Sequence, residues 1–178
     1  KFLAAESLWL EAKALPLEMM DAVDSAYAKA LNAYDSVYLE FPKTNAGIQA
    51  LYMSAMLYSS FPSGLDSAAA KLRLIRDYGL KGIKLHSDYQ NTYFSDIKYK
   101  RIISYATELG LICVIHAGQD PYSPEDIHCT PKMISEMVEE VAPEKLVLAH
   151  MGGHLMPEDV EKYIIGKSDI FEIIFLFL

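Results

Sequence analysis

The chain has 178 residues, enough for one domain with a substantial core and too few for a second of similar size. A hydrophobic content of 52% with 22% charged residues is typical of a globular protein and argues against disordered and fibrous classes. The formal net charge of −8, without a basic stripe, argues against nucleic acid or an anionic membrane surface as a partner.

The first 64 residues alternate helical and strand-like patterns. The predicted elements are helices over 3–14 and 17–33, strands over Ser36–Phe41 and Leu51–Met56, and loops at Pro42 and over Ser59–Gly64.

From about residue 65 the sequence repeats an amphipathic helix, a stop signal and a short apolar strand. The helices begin near Leu65, at a cap on Ser95, and at Thr130-Pro131, and a short one runs from Pro157 to Ile165. The strands are Gly82–His86, Leu111–His116 and Lys145–His150, with an apolar segment over 170–178 that resembles a severed strand.

Strands that alternate with helices at this interval predict right-handed βαβ units and a parallel sheet. We count five or six strands in a single domain over residues 1–178. A complete (β/α)8 TIM barrel needs about 250 residues. The prediction is therefore an incomplete barrel whose N- and C-terminal strands lie outside the chain, or else a smaller open α/β sheet.

The chain has two cysteines, and no apolar run in it is long enough to span a membrane. Cys113 lies in an apolar run and is expected to be a buried, inert thiol. With Cys129 it forms neither a disulfide framework nor a CxxC motif, which favours the cytoplasm. No run reaches the ~20 apolar residues that span a bilayer. The apolar tail, if it is not a strand, is a surface for a partner such as a second copy of the chain.

Three histidines stand at the ends of successive predicted strands, at positions 86, 116 and 150. In a parallel sheet these ends share one edge, where the active sites of barrels and open α/β sheets form. Imidazole is a common ligand of zinc, and a catalytic site needs about three protein ligands. One such histidine is more often a structural residue, but three at unit spacing predict a shared site.

Other polar residues lie near this predicted edge. Lys84 shares a strand face with His86, so we expect its ammonium group to be buried. Four roles are open for it: it anchors a substrate carboxylate, is carbamylated to bind metal, forms a Schiff base, or makes an interior salt bridge with a carboxylate. Asp120 follows His116 and is predicted to orient a histidine or bind substrate. His154 and His128 lie in loops, and we expect both to be peripheral rather than direct ligands, with His154 also a candidate for substrate contact.

Three motifs together resemble the amidohydrolase-related family of barrel enzymes. They are Gly79–His86, His116-Ala117-Gly118 and Ala149-His150-Met151-Gly152-Gly153, within roughly residues 65–166. The resemblance implies that His116 is a metal ligand on a fifth strand and that His150, on the sixth, is a ligand or the acid–base residue. Lys84 would lie on the fourth strand, where two-metal relatives carry a carbamylated lysine. The family's His-x-His pair and its eighth-strand aspartate in a Gly-Thr-Asp context are absent from this sequence.

The resulting expectation is a hydrolase of small molecules that uses a divalent ion, preferably zinc, to activate water against an amide, ester or lactone. His116 and His150 would bind the metal, with His150 and Lys84 catalytic, and His86, Asp120 and His154 would contact substrate. Three alternatives remain: a nonoxidative decarboxylase with the same site, a Schiff-base lyase that uses Lys84, and a metal-free barrel without catalysis.

Overall fold

A computed structural model of the chain describes residues 1–15, 20–59, 64–121 and 123–166. The chain divides into two compact units, Lys1–Gly79 and Leu80–Leu178. The single-domain organisation stays a prediction.

The first unit consists of helices packed in chain order. These are α1 (Phe2–Lys13), α2 (Met20–Glu40), α3 (Asn45–Ser59) and α4 (Leu65–Asp77), and each contacts the next. Several small side chains lie at the contacts and let the helices approach closely. The buried core formed by α1, α2 and α3 contains Ala5, Ala30, Tyr34, Val37, Ala50, Met53 and Leu57.

Both strands predicted in the first unit are wrong. Ser36–Phe41 forms the end of α2 and the first residue after it, and Leu51–Met56 lies within α3. The buried residues Ala30, Tyr34 and Val37 recur every three or four positions, which is helical spacing. The second segment is rich in Leu, Met and Ala, which favour a helix, and its near-continuous apolar character hid that period.

The second unit contains a three-stranded parallel sheet in the order β1-β2-β3. Its elements in chain order are β1 (Gly82–Leu85), α5 (Ser87–Gln90), α6 (Ile97–Glu108), β2 (Ile112–Ile115), α7 (Pro131–Val141), β3 (Leu146–Leu148) and α8 (Pro157–Tyr163). The predicted βαβ order and the parallel sheet are therefore confirmed.

The helix starts in this unit follow ordinary capping chemistry. Asp96 caps α6 by accepting a hydrogen bond from the Lys98 N–H, so the predicted cap at Ser95 is wrong by one residue. The Thr130 hydroxyl oxygen accepts a hydrogen bond from the Met133 N–H at 3.2 Å, and Pro131 takes the first helical position. The predicted start of α7 is confirmed.

The two faces of the sheet differ in burial. Ile83 and Leu85 are buried on one face, next to Cys113 and Ile115 of β2. Lys84 points to the opposite face and is exposed, so its predicted burial is wrong. Alternation along the strand correctly separated the two faces. Burial of an inward lysine, however, needs the strands that close a barrel, and the described residues supply only this sheet.

Five or six strands were predicted, and the described residues form three, without closing a barrel. The apolar segment 170–178 lies outside the described residues. None of the helices in the described ranges combines the length and apolar character needed to cross a bilayer.

Candidate metal centre

His86 and His116 lie side by side at the carboxyl edge of the sheet. Each directly follows its strand, and the last strand residues, Leu85 and Ile115, are paired in register. The two imidazoles are stacked with their centroids 4.0 Å apart and their planes 10° from parallel. The predicted meeting of these two rings is therefore observed, and it follows from the parallel register.

His150 reaches the same place by a different route. Alternation after β3 would put its side chain on the same face as the buried Leu148. Instead the backbone turns left-handed, with φ of +54° at His150 and +56° at Met151. The His150 ring lies edge-on to His116, with centroids 4.8 Å apart. Positive φ at two successive non-glycine residues costs roughly 1–3 kcal/mol each and is concentrated at functional sites.

Asp120 adds a carboxylate to this group. It is buried, and its Oδ2 lies 3.4 Å from His86 Nε2 and 3.8 Å from His116 Nε2. One ligand atom from each of these residues lies within 4.8 Å of the others, an arrangement able to hold a metal ion. Asp120 was predicted either to orient a histidine or to bind substrate, and it lies near two histidines.

The loop that positions Asp120 depends on Gly118. This glycine has φ of +91°, and a Cβ built on it would lie 2.0 Å from the backbone nitrogen of His154. The close approach allows two backbone hydrogen bonds. The His154 N–H donates to the Ala117 carbonyl, and the His154 carbonyl accepts from the Gln119 N–H. The loop after β2 and the segment after β3 are thereby joined beside the histidines.

Asp88 is a member of the site that the sequence did not reveal. Its side chain is only 2% exposed, and its Oδ2 lies 3.7 Å from His86 Nδ1 and 4.0 Å from His116 Nε2. The signal was an acidic residue two positions after a strand-end histidine. It was missed because the segment has the composition of a polar loop, whereas Ser87–Gln90 is a helical turn that directs the side chain inward.

His128, which was predicted to be peripheral rather than a direct ligand, lies against Asp88. The residue is buried, and its Nδ1 donates a hydrogen bond to Asp88 Oδ1 at 3.1 Å. Its distance from the other histidines in sequence gave no indication of this contact, because a long loop returns it to the site.

Three further residues surround the histidines. The ring of His154 lies 5.4 Å from that of His150. Tyr89, which is exposed, stacks on His86 with centroids 3.8 Å apart and planes 6° from parallel. Lys84 is exposed, and its charge adds to burial in lowering the pKa of both His86 and His150.

Burial keeps the imidazoles in the neutral form. Burial, and after it the neighbouring His86 and His150, lowers the pKa of His116 to about 4. Burial also lowers the pKa of His86, although Asp120 and Asp88 oppose the shift. The pKa of His150 is lowered by burial and then by His154 and Lys84. A neutral imidazole has a free lone pair, which is the form that binds a metal.

The site fits a divalent cation. Within the described residues, His86 Nδ1, His116 Nε2 and Asp88 Oδ2 are buried without a hydrogen-bond partner. Burying such atoms without a partner costs about 1–3 kcal/mol each, more for a charged group. A cation would satisfy them, and a set of imidazole nitrogens and carboxylate oxygens suits zinc and similar ions.

Comparison with known proteins agrees with this geometry. A family model described as amidohydrolase matches residues 12–164, which is most of the chain. No curated protein and no solved structure matches it. The match covers both units and all the strand-end histidines, and it indicates an enzyme of the metal-dependent hydrolase superfamily. The chain therefore belongs to the amidohydrolase family.

Proposed function

We propose that this chain is a metal-dependent hydrolase that cleaves an amide, ester or lactone bond in a small molecule. The observation that supports the proposal best is the convergence of His86, His116 and Asp120 at one edge of the parallel sheet. We also propose that the sheet is part of a (β/α)8 barrel, the fold that the family implies, and that the enzyme is cytoplasmic.

His116, His86 and Asp120 would hold the ion, and zinc is our choice because it accepts both nitrogen and oxygen ligands. When bound, such an ion supplies Lewis acidity that polarises a carbonyl and lowers the pKa of water. His86 and Asp120 were predicted to contact substrate, and His150 to bind metal. Distances favour exchanging these roles, since His86 lies 3.4 Å from Asp120 and stacks on His116.

His150 is suited to moving a proton. Its ring meets His116 at an interplanar angle of 72°, and it is half-buried rather than enclosed. Because its pKa is lowered by burial, His154 and Lys84, the ring is neutral near pH 7 and able to accept a proton. It would take a proton from the attacking water and deliver it to the leaving group, a role generally worth about 10²–10⁴-fold in rate.

Lys84, Tyr89 and His154 would orient the substrate. Lys84 provides an exposed cation near His86 and His150, which suits a carboxylate on the substrate. Tyr89 provides an exposed ring against His86. A small molecule with an acidic group and a scissile carbonyl is therefore the substrate class that we propose.

The test is hydrolysis of a panel containing a p-nitrophenyl ester, an aryl amide and a lactone. The zinc-loaded chain should hydrolyse at least one of them, and chelation should abolish the activity. The His116→Asn variant should lose both zinc and activity, whereas His150→Asn should keep zinc and lose turnover. Equal hydrolysis by the chelated chain and by both variants would contradict the proposal.

A further inference from the structure

The two oxygens of Asp88 have different surroundings. Oδ1 accepts hydrogen bonds from the Ser123 hydroxyl and from His128 Nδ1, both at 3.1 Å. Oδ2, on a side chain that is 2% exposed, has no hydrogen-bond partner within the described residues. One oxygen is therefore held in place while the other is directed at the histidines.

The position of Oδ2 suits a ligand atom of a metal ion. It lies 4.0 Å from His116 Nε2, the same nitrogen that Asp120 approaches, and this distance is too long for a hydrogen bond. Zinc binds nitrogen and oxygen at about 2.0–2.2 Å, so two ligands of one ion lie at most about 4.4 Å apart. The separation of Asp88 Oδ2 from His116 Nε2 falls inside that limit.

Charge balance points the same way. Two carboxylates, Asp88 and Asp120, whose side chains are 2% and 4% exposed, face the same pair of histidines. Among the ion pairs of the described residues, Asp88 contacts only histidines. Buried carboxylates without a compensating cation are costly, and a divalent ion between them would supply the charge.

We propose that Asp88 is a further metal donor of this site, and that His128 and Ser123 are the positioning residues that aim its free oxygen. The proposal rests on the proposed function only in requiring that the chain binds a divalent ion. It assigns to His128 the role of the outer partner that orients a ligating carboxylate, a type of residue whose loss typically costs about 10–100-fold in metal affinity.

The experiment measures zinc affinity by competition with a chromophoric chelator, together with the zinc-induced rise in melting temperature. Four proteins are compared: the unaltered chain, Asp88→Asn, His128→Asn and Asp126→Asn. Asp126 is the matched control, because its exposed carboxylate also lies near His128, at 3.5 Å from Nε2. Circular dichroism of the metal-free proteins establishes that each is folded, and Ser123→Ala replaces any variant that is not.

We expect His128→Asn to lose about 10–100-fold in zinc affinity, Asp88→Asn to lose more than that, and Asp126→Asn to bind within about threefold of the unaltered chain. The zinc-induced shift in melting temperature should disappear in Asp88→Asn. If Asp88→Asn loses no more affinity than His128→Asn, Asp88 is not a donor and the inference fails. If the unaltered chain does not bind zinc, the proposed function itself fails, so the two failures are distinguishable.

Discussion

The imidazoles of His86 and His116 lie face to face, 4.0 Å apart, at the ends of two hydrogen-bonded parallel strands. Neighbouring parallel strands in register present equivalent residues side by side, so a histidine directly after each strand produces this pair without further adjustment. Both rings are neutral because burial lowers their pKa values. The result is a preformed pair of nitrogen donors on rigid elements.

Replacing Gly118 should destabilise the chain for two reasons. Its φ is positive, and the neighbouring backbone leaves no room for a side chain. Gly118→Ala would place a Cβ 2.0 Å from the His154 backbone nitrogen, whereas Gly110→Ala, also at positive φ, would meet only the Lys145 Nζ at 3.6 Å. Both variants suffer left-handed strain of roughly 1–2 kcal/mol. Because of the steric clash, we expect Gly118→Ala to lose about 1–3 kcal/mol more unfolding free energy than Gly110→Ala, measured in urea. Equal losses would show that the loop relaxes around the methyl group.

His150 should tolerate asparagine better than alanine. Its φ of +54° lies in the left-handed region, which asparagine and histidine adopt more readily than alanine. His150→Asn should therefore be more stable to urea than His150→Ala, by about 1 kcal/mol, while both lose catalytic turnover. The turn at His150 would not be under backbone strain if the two variants unfolded at the same urea concentration.

Both cysteines should resist modification in the folded chain. Burial raises the pKa of Cys113 to about 12 and that of Cys129 well above its usual range. Because the thiolate is the reacting form, reaction with a disulfide reagent at pH 8 should be slow and should still accelerate at pH 10. A free thiol levels off above its own pKa of about 8.5. Reaction within seconds at pH 8 without denaturant would contradict the burial.

Thr130 should stabilise the helix that leads into β3. Its hydroxyl oxygen accepts the Met133 N–H at the start of α7. Thr130→Ala should cost about 1 kcal/mol of unfolding free energy, whereas Thr130→Ser, which keeps the hydroxyl, should cost only a few tenths. Indistinguishable losses in the two variants would show that the methyl group, rather than the cap, accounts for the effect.

Much of the second unit was predictable because its signals are local. Thr130-Pro131 marks a helix start, glycines at positions 79 and 110 mark helix ends, and the strand-end histidines follow apolar runs. In the first unit, Leu51–Met56 was mispredicted as a strand because its apolar residues are nearly continuous, which hides the helical period. Residue propensities alone did not distinguish a helix from a strand in that segment.

The site was predicted in part for a similar reason. The meeting of His86 and His116 follows from strand order, whereas the position of Asp120 depends on the loop held by Gly118. Asp88 and His128 meet across forty residues, and nothing in their local sequence indicates that contact. The ring of His150 joins the others only through a backbone turn that alternation does not predict.

The most direct test of a metal centre at this sheet edge is the zinc content of the purified chain after dialysis against zinc-containing buffer. We predict about one tightly bound zinc ion per chain, the stoichiometry of a single catalytic site. The His116→Asn variant, folded by circular dichroism, should retain almost none. An unaltered chain that leaves dialysis without zinc, or a His116→Asn variant that binds as much as the unaltered chain, would contradict the account.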